Sequence, residues 1–345
     1  MTPSRPGLAL AADIGGTNAR FAAFVVRSGA DAGLGDPVWE RTWPSTSIGG
    51  PTPLLGEVLG AMPGPVACAG VAVAGPVVDG VCRATNLPWA VDAAELARAL
   101  DLPHVALLND LEAHAHGLAC VPDDRFLTVA PGRAGAHGNR TLLSAGTGLG
   151  EAGLVLHEGR HVPFACEGGH ATFAPSDDLQ DELAAHLRVK FGHVSWERVL
   201  SGPGIENLYD FLRARERAED VAEIVVGRAK GALAPAVTAA ALAGTSDLAV
   251  RTLDLFLSLY GAAAGGVALH HLATGGVYLG GGISARLAPW FLRGGFRKAF
   301  LGQGRMRPLL EPIPVRVVLE TRTALFGAAR VAMGLDRASP AGERP

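Results

Sequence analysis

LALAADIGGTNARFAAFVV, residues 8–26, is two apolar runs parted by a pair of glycines. Each run is too short for a helix of average length, and both are rich in small and aromatic apolar residues, so the stretch predicts strands over 8–14 and 19–26 joined by a tight turn. A third strand is expected near 38–43, which makes a three-stranded antiparallel opening. Beyond it the pattern changes character. A helix is expected over 52–62, a buried strand over 66–74, a helix over 93–100 and a strand over 104–108, in the order β-β-β-α-β-α-β.

The same opening is expected a second time. A strand cluster begins near Phe126 and continues through 141–144, 152–157 and 161–164. Helices follow over 179–191, 205–216, 221–243 with a break at Pro235, and 248–272. The strand 276–279, glycines 280–282, a helix after Ser284, a strand over 315–319 and a helix over 324–334 complete the chain. The fold class is α/β: two halves, each a mixed sheet flanked by helices, with a glycine turn inside its first hairpin and a ligand cleft expected between them.

Composition narrows the function. The chain has 345 residues, 48% hydrophobic and 18% charged, enough for two domains with real cores. Its net charge of -3 comes without a basic block, so there is no electrostatic footprint for nucleic acid or anionic lipid. Cys68, Cys82, Cys120 and Cys166 have no paired spacing, which predicts neither a zinc site nor a disulfide framework and fits a reducing cytoplasm. The leader MTPSRPG lacks the apolar core of a signal peptide. The run 255–269 is short for a membrane span and rich in glycine and alanine, and is read as a buried helix.

Three glycine clusters carry the phosphate chemistry. In DIGGTNAR, Gly15 and Gly16 remove side chains where backbone N–H groups must face an anion, and Thr17 and Asn18 add donors. Asp13 stands at a strand end, where a carboxylate can hold magnesium through water, or where the stretch is an ordinary hairpin with an Asp cap. The second cluster, Gly146-Thr147-Gly148-Leu149-Gly150, matches the dinucleotide pattern GxGxxG with Gly153, but that fingerprint must open a helix. The residues after Gly150 alternate as a strand, so a strand-turn-strand phosphate loop is expected. In GGVYLGGGIS, Gly281 and Gly282 either let the backbone approach an adenine and ribose or form an ordinary strand-to-helix junction.

The acceptors form another set. Asn109 and Asp110 end a buried strand before a helix, where Asp110 takes the proton of an attacking hydroxyl and Asn109 fixes its neighbour, or where both merely cap the helix. Glu167, Gly168, Gly169 and His170 make a polar corner, and Glu197 lies in SWERVLSGPG. Carboxylates accept from sugar hydroxyls, and a neutral imidazole both donates and accepts. No second His or Cys falls at metal-ligand spacing from His170.

With these residues in order, the chain resembles the bacterial glucokinases, ATP-dependent hexokinase-like enzymes of the actin, Hsp70 and sugar-kinase superfamily. The resemblance runs from Leu8 to Gly334 through DIGGTNAR, TNLPW, LLNDLEAHA, GTGLG, EGGHATFAP, GHVSWERVLSGPGIENLY and GGVYLGGGI. It implies two ribonuclease H-like domains: a small one over 1–119 completed by a C-terminal helix at 320–336, and a large one over 120–319. It also implies glucose and ATP as ligands, a homodimer, Asp110 as the base that accepts the 6-hydroxyl proton, and Asn109, Glu167, His170 and Glu197 as sugar ligands. Asp13, Gly15, Gly16, Thr17, Gly146, Thr147 and Gly148 are placed near ATP and Mg2+.

Two positions depart from the family pattern: Glu151, where a small or apolar residue is usual, and Cys166, beside the sugar turn. Kinases for other hexoses or amino sugars share the loops, but their usual cysteine-rich zinc motif does not follow His170. A sugar-sensing repressor on the same fold would need a DNA-binding segment before the first loop, and an actin-like assembly protein would not need the sugar-directed residues.

Overall fold

The computed structural model describes residues 7–16, 18–26, 34–45, 50–83 and 89–335. Its contacts divide the chain into a first unit, Met1–Asp123 with Val162–Ala165 and Glu320–Pro345, and a second unit, Asp124–His161 with Cys166–Leu319.

In the first unit, strands β1 (Leu8–Ile14), β2 (Asn18–Val25) and β3 (Trp39–Pro44) form the antiparallel opening. Helix α1 (Pro51–Ala61) leads to β4 (Val66–Val73). Three two-residue strands follow: β5 (Val77–Val78), β6 (Val81–Cys82) and β7 (Val91–Asp92), a small sheet that periodicity over so few residues does not announce. Helix α2 (Ala93–Ala99), β8 (Val105–Asn109) and α3 (Asp110–Gly117) complete the run. The main sheet has the order β3-β2-β1-β4-β8, parallel across β1, β4 and β8.

Strand β1 is buried along almost its whole length because its alternating side chains feed two cores. Leu10, Ala12 and Ile14 pack with Leu54, Leu55 and Val58, while Ala9 and Ala11 pack with Leu325, Phe326 and Ala328 of the C-terminal helix Thr323–Ala332. That helix also crosses α3 with backbones in close approach: a Cβ at Gly117 would meet the carbonyl of Thr323, and one at Gly327 that of Ala113. Only glycine permits this crossing.

The second unit holds β9 (Phe126–Ala130), β10 (Arg140–Ala145), β11 (Leu149–His157), the two ends of β12 (Arg160–Cys166), α4 (Asp178–Phe191), α5 (Gly202–Glu216), α6 (Ala222–Ala229), α7 (Leu233–Ala243), α8 (Asp247–His270), β13 (Gly276–Gly280), α9 (Gly281–Arg286) and β14 (Val315–Val318). Three further short helices lie between α9 and β14. The sheet order is β12-β11-β10-β13-β14-β9.

The duplication is present but begins later than expected. Strand β9 lies at the far edge, antiparallel to β14, so the repeated opening starts at β10. The expected break at Pro235 also moves. The chain leaves α6 through Lys230-Gly231-Ala232, with Gly231 at φ 66, and Pro235 is the third residue of α7. A proline is tolerated there because the first-turn N–H groups have no helical partner in any case. Helix α8 is long and apolar enough to cross a membrane by length and composition, and two thirds of that apolar window is buried. Its Leu253, Phe256, Leu257 and Tyr260 belong to the core of the second unit.

The glycine crossing yields a test. Gly327→Val is expected to destabilise the protein by about 1–3 kcal/mol or more through forced backbone separation, read as a lower midpoint in urea denaturation. Substitution of exposed Gly60, with open space around it, to Ala is the matched control.

Candidate active site

The first phosphate loop is the turn between β1 and β2. The Gly15 N–H donates to the Asn18 carbonyl at 2.9 Å, and the buried Ser45 hydroxyl donates to the Gly15 carbonyl at 2.6 Å. Gly16 lies in the bend, Asn18 is exposed at the start of β2, and Thr17 lies outside the described residues. Asp13 sits opposite Arg20 in the β1–β2 register. Burial raises its pKa and the Arg20 charge opposes that rise. Arg20 is itself held by Glu40 at 2.8 Å and by the Thr321 carbonyl at 2.8 Å.

Asn109 caps α3: its Oδ1 accepts from Leu111 N at 2.9 Å and Glu112 N at 3.3 Å. Its Nδ2 donates to the Gly75 carbonyl at 3.1 Å, which leaves one amide hydrogen for a ligand. The cap reading and the ligand reading therefore coexist. Asp110 is the first residue of α3 and its Oδ1 accepts from Leu111 N at 2.9 Å. A carboxylate at a helix N-terminus is stabilised in its charged, proton-accepting form. The buried Cys82 thiol has its pKa raised by burial and by the negative charge of Asp110, which places it beside the candidate base. His114, one turn further along, is driven by burial to a pKa of about 4 and stays neutral, with no partner for its Nε2 among the described residues.

In the second unit the Gly146–Thr147–Gly148 loop joins β10 to β11 as strand-turn-strand. Gly146 N donates to Gly148 O at 2.9 Å, and Gly146 O accepts from Gly202 N, at the start of α5, at 2.8 Å. Glu197 reaches into this hairpin. Its Oε2 accepts from Leu149 N at 3.1 Å, and a Cβ at Gly148 would collide with it. The Glu197 carboxylate alone therefore requires glycine at position 148.

The sugar-directed turn is built on the same strand. Gly168–His170 is a 3-10 turn whose Gly169 lies flat on the Leu149 carbonyl and whose Gly168 lies against the Glu151 carboxyl. His170 Nε2 is 3.8 Å from Glu167 Oε2, with both side chains well exposed. The turn continues into a bridge between Thr172 and Ser195, and Trp196 N donates to Ala171 O at 3.0 Å. Glu167, His170 and Glu197 are therefore carried on two braced turns beside the phosphate hairpin.

Gly281, at φ 85, abuts the Ala145 carbonyl at the end of β10, where no side chain fits. Gly282, Gly146 and Thr147 open into a cavity of about 600 Å³ together with Gly202, Pro203, Glu206, Thr238, Ile283 and Arg286. Its volume suits a nucleoside. Sequence reasoning picked out Gly146, Thr147 and Gly282 of this cavity and missed the rest. The small Gly202-Pro203 pair at the start of α5 was a readable signal, whereas Glu206, Thr238 and Arg286 sit at ordinary helical spacings. Among the described residues, no group of three His, Cys, Asp or Glu gathers as a metal cluster.

The two departures are now placed. Glu151 does not face the phosphate loop; it is 5% exposed, below the sugar turn, and burial pushes its pKa up to about 7. Cys166 is half-buried, its thiol pointing to the Glu151 carbonyl at 3.5 Å. Its pKa is raised, chiefly by burial, which disfavours a reactive thiolate.

Two mixed sheets flanked by helices, each with a glycine turn inside a hairpin, are the architecture of the sugar-kinase fold. The glucokinase family model matches residues 10–335. The chain is 38% identical to the glucokinase of Synechocystis sp. over 343 residues, 93% of this chain and 96% of that protein. Among solved structures, glucokinase from an Antarctic psychrotroph superposes with a TM-score of 0.80 at 31% identity, covering 95% of this chain and 99% of that one. A glucokinase from Streptomyces griseus, solved with glucose and AMPPNP, has a TM-score of 0.64 at 21% identity, covering 95% and 100%. The chain belongs to the glucokinase family.

Glu151 supplies a stability prediction. Its folded pKa, about 7, lies above the ordinary 4.5, so its favourable contribution is complete below pH 4.5 and is lost as pH rises to about 7. Between pH 5 and 8 the wild type is expected to lose about 2–3 kcal/mol through this group, and Glu151→Gln to lose that much less, measured by urea denaturation at the two pH values.

Proposed function

We propose that the protein phosphorylates glucose at its 6-hydroxyl with ATP. The observation that carries this is the Leu149–Glu197 hydrogen bond, which ties a sugar-type carboxylate to a phosphate loop. A phosphate hairpin alone fits many ATPases; one fused to a turn bearing Glu167 and His170 fits a hexose acceptor. The family membership supports the same reading, as does the glucose and AMPPNP complex of the Streptomyces griseus relative.

Asp110 accepts the proton of the sugar 6-hydroxyl as that oxygen bonds to the γ-phosphorus, and the bond from phosphorus to the ADP oxygen breaks. Asn109 offers its remaining amide hydrogen to a neighbouring hydroxyl. Glu167 and Glu197 accept from other hydroxyls, and His170 donates or accepts. The N–H groups of Gly16, Asn18, Thr147 and Gly148 face the phosphates, while those of Gly15 and Gly146 close the two hairpins, with the Thr17 hydroxyl assigned alongside them. The cavity beside Gly281 and Gly282 takes the adenosine.

Asp13 fits a magnesium ion held through water: a part-buried carboxylate at a strand end, with no group of three or more His, Cys, Asp or Glu among the described residues, matches an ion that keeps most of its waters and binds phosphate oxygens. When bound, Mg2+ neutralises charge on the transferring phosphoryl group. We assign residues 1–119 with 320–336 to a small domain and 120–319 to a large one. A cytoplasmic homodimer acting on soluble glucose, with neither nucleic acid nor membrane as a partner, completes the reading.

Purified protein with Mg-ATP is expected to phosphorylate glucose in preference to other hexoses and amino sugars; strict preference for an amino sugar would favour the rival kinase class. Asp110→Asn is expected to lower kcat by about 10²–10⁴ with the urea midpoint unchanged. Near-normal turnover would remove Asp110 as the base. Glu197→Gln is expected to raise KM for glucose and, through the Leu149 bond, KM for ATP as well. An effect on glucose alone would separate the two sites.

A further inference from the structure

The carboxyl of Glu151 is the most buried acid near the site that the proposed reaction leaves unused. It is 5% exposed and makes no hydrogen bond or ion pair among the described residues, and a Cβ on Gly168 would strike its Oε2. Gly168 is the residue between the sugar-directed Glu167 and Gly169-His170. The facing groups carry no positive charge to balance it. Its cross-strand partner on β10 is Leu143. From β12 comes the Cys166 thiol, from the turn Glu167, and from α8 the phenol of Tyr260. Cys166 feels the negative charge of both Glu151 and Glu167. Tyr260 is already engaged by the Leu143 carbonyl and Ser284 at 3.1 Å each.

The geometry points to Glu151 as a positioning residue for the sugar turn: as a neutral acid it packs flat beneath Gly168 and fixes Glu167 and His170, and as a carboxylate it repels the turn and weakens sugar binding. The inference rests on the reading that this turn holds the sugar. A charged carboxylate without a counter-ion seeks water, and its exit from beneath Gly168 runs through the turn it supports. Burial already holds the group neutral well above the ordinary carboxylate range, so the transition falls near neutral pH. The effect belongs to sugar affinity, since Glu151 touches neither the phosphate loop nor Asp110.

The test is initial-rate kinetics on the full chain with glucose varied at saturating Mg-ATP, from pH 6 to 8. For the wild type, KM for glucose is expected to rise about fivefold to tenfold, as for a single group that must be protonated, and the effect to lie in KM rather than kcat. In Glu151→Gln the rise is expected to vanish. His170 is itself titratable and sits on the turn, but its contribution is common to both proteins, so the difference between them decides. Parallel KM profiles in the two proteins would overturn the role of Glu151 while leaving the kinase reading intact. Should Glu151→Gln fail to fold, Glu151→Leu keeps the space filled without charge. Calorimetry of glucose binding to the wild type at pH 7.5, in buffers of different ionisation enthalpy, reads the linkage directly. Uptake of roughly half a proton or more is expected, and absence of uptake overturns the inference. No glucose binding at any pH would overturn both the sugar reading and this inference built on it.

Discussion

The hydrogen bond from Leu149 N to Glu197 Oε2 sets the terms for much of the second unit. It forms where the chain leaves the phosphate hairpin and enters β11, so the carboxylate stands within the loop's own backbone. Gly148 must then lack a side chain, and the Trp196–Arg198 turn must stay beside the hairpin. The Ser201 hydroxyl secures that turn by donating to the Glu197 carbonyl at 2.7 Å while accepting from Gly204 N at 3.0 Å. The same serine thus caps α5 and fixes the segment that carries Glu197. A carboxylate beside an anion-binding loop is electrostatically unfavourable unless it is tied down and given other partners. Here the tie is a backbone N–H.

Strand β11 extends this logic along its length. Its first residue takes Glu197, the carbonyl of that residue underlies Gly169, and two residues on Glu151 underlies Gly168. Because side chains alternate across a strand, positions 149 and 151 share a face, and the sugar turn lies along that face. A strand is a stiff support, which is what a site needs when its ligands must be held to a fraction of an ångström. The pair Gly168-Gly169 is accordingly a packing requirement: each glycine gives up a side chain so that the turn can lie on the strand, and the outer residues of the turn, Glu167 and His170, remain exposed.

Much of this was legible in the sequence, for reasons that differ by element. Strand β1 was found at its correct ends because five small or branched apolar residues stop abruptly at Asp13 and two glycines. The 24-residue α8 was found because length averages out local ambiguity. The break between α6 and α7 was misplaced because proline is the louder signal, although its missing N–H costs nothing in a first turn. The position of β9 was misread because a strand's order along the chain does not reveal its place in the sheet. The two-residue strands β5, β6 and β7 hold too few residues to show a period at all.

Site residues were legible where chemistry restricts the residue type and opaque where it does not. A glycine pair, an Asn-Asp at a strand end and an EGGH corner use residues that a plain scaffold rarely needs together. Glu206, Thr238 and Arg286 face the cavity from helices whose sequences look like any amphipathic surface, so only the folded chain reveals them. Glu151 is the instructive intermediate. It was noticed because it departs from the family pattern beside a glycine loop, and the structure places its carboxyl against Gly168. Pairing with β10 sends its side chain beneath the sugar turn, where the electrostatic problem becomes one of desolvation. A charge next to an anion can be relieved by salt or a counter-ion; a carboxyl in a dry seat is relieved only by taking a proton. The same residue type thus changes from an anomaly in one site to a structural member of the other through a register that only the hairpin fixes.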